Sequence, residues 1–238
     1  MGFGEGSGMR ARGFRYGGLT AICHLLIAAL VTLMPFEAPA APARPISSAA
    51  PTRTILAFGD SLTAGYQLRP AESFPAQLEV ALRKEGRAVV VHNAGVSGDT
   101  TAQGRARLNW VLTGMKVKPD LAILELGAND MLRCQSPAAA RANLDAMLAE
   151  FRKHRIPVIL AGMLATPNLG ATFGREFNGI YPALAKQHGV PLYPFFMKNV
   201  VGIKGLQIGD GIHPSPAGVA VIVRGILPTV RTSLDRLH

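Results

Sequence analysis

Five short, almost uninterrupted apolar runs, separated by stretches of helical periodicity, constrain this fold more than any other feature. They cover residues 54–58, 88–92, 121–126, 157–163 and a brief 191–193. A strand with one wet face alternates apolar and polar residues. Continuous runs are what a sheet covered by helices on both faces requires, and such sheets are parallel.

The intervening segments supply the covering layers. Phe74, Leu78, Ala81 and Leu82 fall on one helical face, as do Ala140, Leu144, Met147, Leu148 and Phe151, and then Val219, Ile222, Val223, Ile226 and Val230. Ser136-Pro137 and Ser215-Pro216 each place a capping hydroxyl before a proline suited to the first helical position. Thr100 and Gln103 have the spacing of a capping box. Regular strand–helix succession with right-handed crossovers predicts an α/β fold: a three-layer α/β/α domain around a five-stranded parallel sheet, wound as in flavodoxin-like proteins. Residues 194–209 show no periodicity and are read as a long loop.

The 238 residues suffice for one well-buried domain plus a leader. Arg10, Arg12 and Arg15 precede an apolar run over 19–34, Pro35 breaks it, and Ala38-Pro39-Ala40 follows. Basic, apolar, then small is the order of a secretory signal cleaved near Ala40. An uncleaved anchor fits less well, because the run is shorter than the roughly 20 residues a span needs and Cys23 and His24 interrupt it. The expected organisation is a signal over 1–40, a flexible Ala/Pro/Ser-rich linker over 41–52 and one domain over 53–238. The mature protein is then exported, periplasmic or secreted, with no stable membrane span.

The formal net charge is +10, and the leader holds three Arg against two Glu, so the excess belongs to the domain. The cations are scattered without dense runs or interleaved aromatics, which argues against a nucleic-acid groove. Only Cys134 remains after cleavage, which excludes an internal disulfide; it is read as a small half-buried loop residue.

In open parallel sheets, ligands bind beyond the carboxyl ends of the strands. Those ends here carry Gly59-Asp60-Ser61-Leu62, the stretch from Asn93 to Asp99, Gly127-Ala128-Asn129-Asp130, and Asp210-Gly211-Ile212-His213-Pro214. Together they hold the parts of acyl transfer: a hydroxyl nucleophile in Ser61, a base in His213, and Asp210 to orient it. Three donors from three loops, the N–H groups of Ser61 and Gly98 and the amide of Asn129, would receive the oxyanion. Gly211 gives the Asp-to-His turn its freedom. Met131, Met163 and Met197 are candidates to line an acyl pocket, against the equally plain reading that they are core. His92, His154, His188 and His238 lack an acidic partner pattern and read as surface or structural. Asp60, Asp99 and Asp130 with His213 show no metal-ligand spacing, so no metal or cofactor is expected.

These four blocks resemble those of SGNH (GDSL-type) hydrolases over residues 54–216, and within them the bacterial periplasmic thioesterase I, lysophospholipase and arylesterase group. The stretches around Tyr181-Pro182 and Pro194-Phe195-Phe196-Met197 add to that likeness. The resemblance implies Ser61, Gly98, Asn129 and His213 as signature residues and Asp210 as the third member of the triad. It also implies broad substrate tolerance and an acyl-binding loop over 131–137, which includes Met131, Leu132, Arg133 and Cys134. Cys134 stands where that pattern expects a small residue such as glycine.

The expected function is hydrolysis of small acyl esters or thioesters by a monomer, through an acyl-enzyme on Ser61. Alternatives are a short-chain carboxylesterase that deacetylates carbohydrate, and a catalytically silent acyl- or glycan-binding domain. The absence of Gly-x-Ser-x-Gly argues against the nucleophile elbow of α/β-hydrolases.

Overall fold

The computed structural model describes residues 52–237, so the expected signal and, but for Thr52, the expected linker lie outside the described residues. All five expected strands are present: β1 (Arg53–Gly59), β2 (Val89–Gly95), β3 (Leu121–Glu125), β4 (Val158–Ala161) and β5 (Leu192–Tyr193). They form one parallel sheet in the order β2-β1-β3-β4-β5, the flavodoxin-like winding. β2 runs past the apolar stretch to Gly95 because Asn93, Ala94 and Gly95 keep pairing with Ala57, Phe58 and Gly59.

The helices are α1 (Ser61–Ala64), α2 (Phe74–Lys84), α3 (Thr101–Gly114), α4 (Ala128–Leu132), α5 (Pro137–Lys153), α6 (Ala171–Asn178), α7 (Ile180–His188) and α8 (Pro216–Asp235). α2 and α8 pack together, and α8 also covers β4 and β5; α5 packs on α3 and α7. Helix α8 is long and apolar enough to cross a membrane, but its Val219, Ile222, Val223, Ile226 and Val230 are core residues. Phe58 of β1 meets Phe151 of α5 edge-on, and Phe74 of α2 meets Phe196 in the same way.

Two of the three expected caps form. Thr100 Oγ1 accepts from Gln103 N while Gln103 Oε1 accepts from Thr100 N at 2.9 Å, and Ser215 Oγ accepts from Gly218 N at 3.2 Å. Ser136 precedes α5, but its hydroxyl caps nothing; the helix start there rests on Pro137 and on the Ser136 carbonyl, which accepts from Ala140 N. The segment after β5 is irregular up to α8, apart from a bridge between Gln207 and Pro214.

Candidate active site

The turn after β1 places Asp60 as the N-cap of α1, its Oδ1 accepting from Leu62 N at 3.0 Å, and Ser61 as the first helical residue. Ser61 is 8 % exposed. The segment holding Asp210 and His213 is a tight loop. Ile208 N donates to His213 O at 2.9 Å, Gly211 N to Ile208 O at 3.1 Å, and Gln207 Nε2 to Gly211 O at 2.7 Å. Gly211 sits at φ +67°, a left-handed conformation in which a β-carbon is strained.

This loop delivers the triad. Ser61 Oγ lies 2.8 Å from His213 Nε2, and His213 Nδ1 lies 2.6 Å from Asp210 Oδ2. With Nδ1–H donating to the carboxylate, Nε2 is left as the acceptor for the serine proton. Asp210 Oδ1 accepts from Ile212 N at 2.9 Å and His213 N at 3.0 Å. Partial burial alone would raise the Asp210 pKa. The backbone N–H of His213, its imidazole and the N–H of Ile212 outweigh it, so the carboxyl lies below its usual value. Tyr66, unnoticed in the sequence, stacks on the imidazole with ring centroids 4.4 Å apart and planes tilted by 35°.

The oxyanion candidates fall into two kinds. The N–H groups of Ser61 and Gly98 have no acceptor among the described residues, and Gly98 is held at φ +86°. Asn129, in α4, is engaged: its Nδ2 lies 3.2 Å from Asp60 Oδ2 and 3.0 Å from the Asp99 carbonyl. Both amide protons therefore have protein acceptors.

Behind the triad lies a buried acidic layer. Asp60 and Glu125 are fully buried. Glu125 Oε2 accepts from Thr63 Oγ1 at 2.7 Å, while Oε1 has no partner among the described residues. Burial pushes Asp60 up to about 7 against the opposing pull of the Leu62 N–H and the Asn129 amide, with Asp99 and Asp130 adding to the rise. Burial, then the nearby charge of Asp60, raises Glu125 well above the carboxylate range. Arg107 closes the layer, donating to Asp99 Oδ2 at 2.6 Å and to the Gly59 carbonyl at 2.9 Å, with its guanidinium over Phe58. Asp130 accepts from Thr101 N at 2.8 Å and Thr101 Oγ1 at 2.6 Å. Arg107 and Thr63 carry no motif. Glu125 had a signal, a lone charge at the end of an apolar strand.

The proposed substrate-binding residues divide. Met131, Met163 and Met197 are 7, 3 and 4 % exposed and belong to the core, so they have little surface to offer a cleft. Leu132, the last residue of α4, its C-cap Arg133 and the following Cys134 are exposed. Cys134 is exposed rather than half-buried, and it sits at φ +50°, a left-handed conformation that glycine adopts more easily. His154 and His188, read as surface or structural and without acidic partners, do have such partners: His154 Nε2 lies 3.0 Å from Glu150, and His188 pairs with Asp145. Both pairings lie on helices away from Ser61. Among the described residues, no group of three or more His, Cys, Asp or Glu side chains is arranged to hold a metal.

Residues 57–221 match the model of the GDSL-like Lipase/Acylhydrolase family. The chain is 36 % identical over 189 residues to Esterase TesA of Pseudomonas aeruginosa, covering 79 % of this chain and 93 % of that one. It is 40 % identical over 162 residues to the Arylesterase of Vibrio mimicus, covering 68 % and 80 %. It is 36 % identical over 167 residues to Thioesterase 1/protease 1/lysophospholipase L1 of Escherichia coli K12, covering 70 % and 78 %. Among solved structures, AlinE4, an SGNH-hydrolase family esterase, superposes with a TM-score of 0.66 at 50 % identity, covering 77 % of this chain and 97 % of that one.

Proposed function

This chain belongs to the GDSL-like Lipase/Acylhydrolase family and is an ester/thioester hydrolase, and we propose that Ser61, His213 and Asp210 carry its chemistry. The observation that supports this most is the continuous chain of contacts from Asp210 through His213 to Ser61 Oγ, at 2.6 and 2.8 Å. A serine hydroxyl is a weak nucleophile unless a neutral imidazole stands within hydrogen-bond reach to take its proton.

As Ser61 Oγ attacks the acyl carbon, its proton passes to His213 Nε2, and Asp210 stabilises the imidazolium. The N–H groups of Ser61 and Gly98 receive the developing oxyanion. The Asn129 amide joins them by giving up its longer bond, the one to Asp60. Imidazolium then protonates the leaving alcohol or thiol. Water, deprotonated by His213, releases the acid from Ser61. Every step uses groups of this chain and needs no cofactor. With a catalytic family assignment in hand, the silent binding domain gives way as an alternative.

Substrates are small acyl esters or thioesters. Residues 1–40 act as an export signal, which places the enzyme in the periplasm or outside the cell. Partition of the acyl-enzyme tests the mechanism. Several esters sharing one acyl group are hydrolysed in the presence of methanol, and the ratio of methyl ester to free acid is measured. A ratio independent of leaving group supports a common acyl-enzyme; a ratio that follows the leaving group contradicts it.

A further inference from the structure

The guanidinium of Arg133 stands beside the oxyanion loop with most of its hydrogen-bonding capacity unused. Arg133 ends α4, with its backbone N–H donating to Asn129 O at 3.1 Å, so it is anchored to the turn that carries Asn129. Its Nη2 donates to the Gly98 carbonyl at 2.9 Å. That is one bond from a group with five N–H donors.

Its charge is also uncompensated: among the described residues, no carboxylate lies within ion-pair distance of Arg133. The two acids on the adjoining segments are turned inward, Asp99 to Arg107 and Asp130 to Thr101. Asp210 is engaged by His213. An exposed, fixed cation therefore remains on the Gly98 side of Ser61. A planar guanidinium with free donors matches a carboxylate or phosphate better than an alkyl chain.

We propose that Arg133 is a specificity-determining residue that recognises an anionic group, carboxylate or phosphate, on the ester or thioester bound at Ser61. This rests on the assignment of Ser61 as nucleophile and adds a substrate class to it. The plainer role, tying the oxyanion loop to α4 through Gly98, would affect all substrates alike. It is separable for that reason.

The test compares kcat/KM within two matched pairs: p-nitrophenyl hemisuccinate against p-nitrophenyl butyrate, and 4-acetoxybenzoate against its methyl ester. The first pair puts the charge on the acyl side and the second on the leaving group. Wild type is expected to favour the anionic member of at least one pair by ~10-fold or more at low salt, the size of one charge-assisted hydrogen bond. Arg133→Met should remove that preference whatever common loss both members suffer, Arg133→Lys should retain most of it, and added salt should weaken it. Which pair responds identifies the side that carries the anion. No preference in either pair, or one that survives Arg133→Met, would overturn the proposal. Fluorophosphonate labelling of Ser61 in the same preparations reports on the nucleophile separately.

Discussion

Asn129 Nδ2 stands 3.2 Å from the carboxylate of Asp60, a residue buried directly behind the nucleophile. The proposed oxyanion donor and the acidic layer are therefore one network. An amide already engaged in the resting protein is held in place, and as the proposed oxyanion donor it would act on the transition state by exchanging one acceptor for another.

Asn129→Ala should accordingly lower kcat by ~10²–10³ with little change in KM, because the amide serves developing charge more than substrate binding. Steady-state kinetics on one soluble ester measures both constants. A rise in KM at constant kcat would show that Asn129 binds ground-state substrate instead.

Asp60 ties stability to pH in an unusual direction. Its folded pKa is about 7 against an ordinary 3.8, so between those values the native state holds a proton that the unfolded chain releases. The stabilising contribution is full below the ordinary value and is lost as pH rises towards 7. Asp60→Asn keeps an acceptor for Leu62 N and removes the titration. The Tm of the variant relative to wild type should climb from pH 4 to pH 7 and level off above it. A constant difference would mean that Asp60 titrates normally.

Thr63 supplies a side-chain hydroxyl to buried Glu125, whose other oxygen has no partner among the described residues. Thr63→Val preserves shape and removes that donor, so it should destabilise the fold by about 1–3 kcal/mol. Urea midpoints at constant m-value measure the loss. Thr63→Ser should recover most of it.

Asp210→Asn should lower kcat by about 10³–10⁴ with the fold intact, since an amide still offers an oxygen to Ile212 N and His213 N but no longer favours the imidazolium. Circular dichroism beside the kinetics separates chemistry from unfolding. A loss below tenfold would remove Asp210 from the triad.

The sheet was legible because both of its faces are buried, which turns each strand into an unbroken apolar run. Ser61 and Asn129 were legible because topology brings strand ends together, so short polar blocks at those ends point to one place; Asp210 and His213 lie well beyond β5, shortly before α8, and were legible through their spacing and the resemblance to SGNH hydrolases. The hairpin from Gln207 to Pro214 was not, since it depends on side-chain and backbone bonds of Gln207 that leave no periodic trace. Helix α6 went unread because it is only eight residues long and carries Gly174, so its apolar side, Phe173 and Phe177, spans barely two turns. Met131, Met163 and Met197 were ambiguous for a different reason: a thioether near a strand end suits core and pocket equally, and burial alone decided for the core. Tyr66 and Arg107 act through contacts with distant segments, which no local spacing announces, and the bond from Arg133 to Gly98 is of the same kind.

The claim that Ser61 is an activated nucleophile meets its most direct test in intact-mass analysis after fluorophosphonate treatment, with wild type and Ser61→Ala side by side. One adduct per chain is expected on wild type, mapped to Ser61 and missing from the variant. A folded wild type that takes no adduct, or an adduct that persists in Ser61→Ala, would contradict that claim.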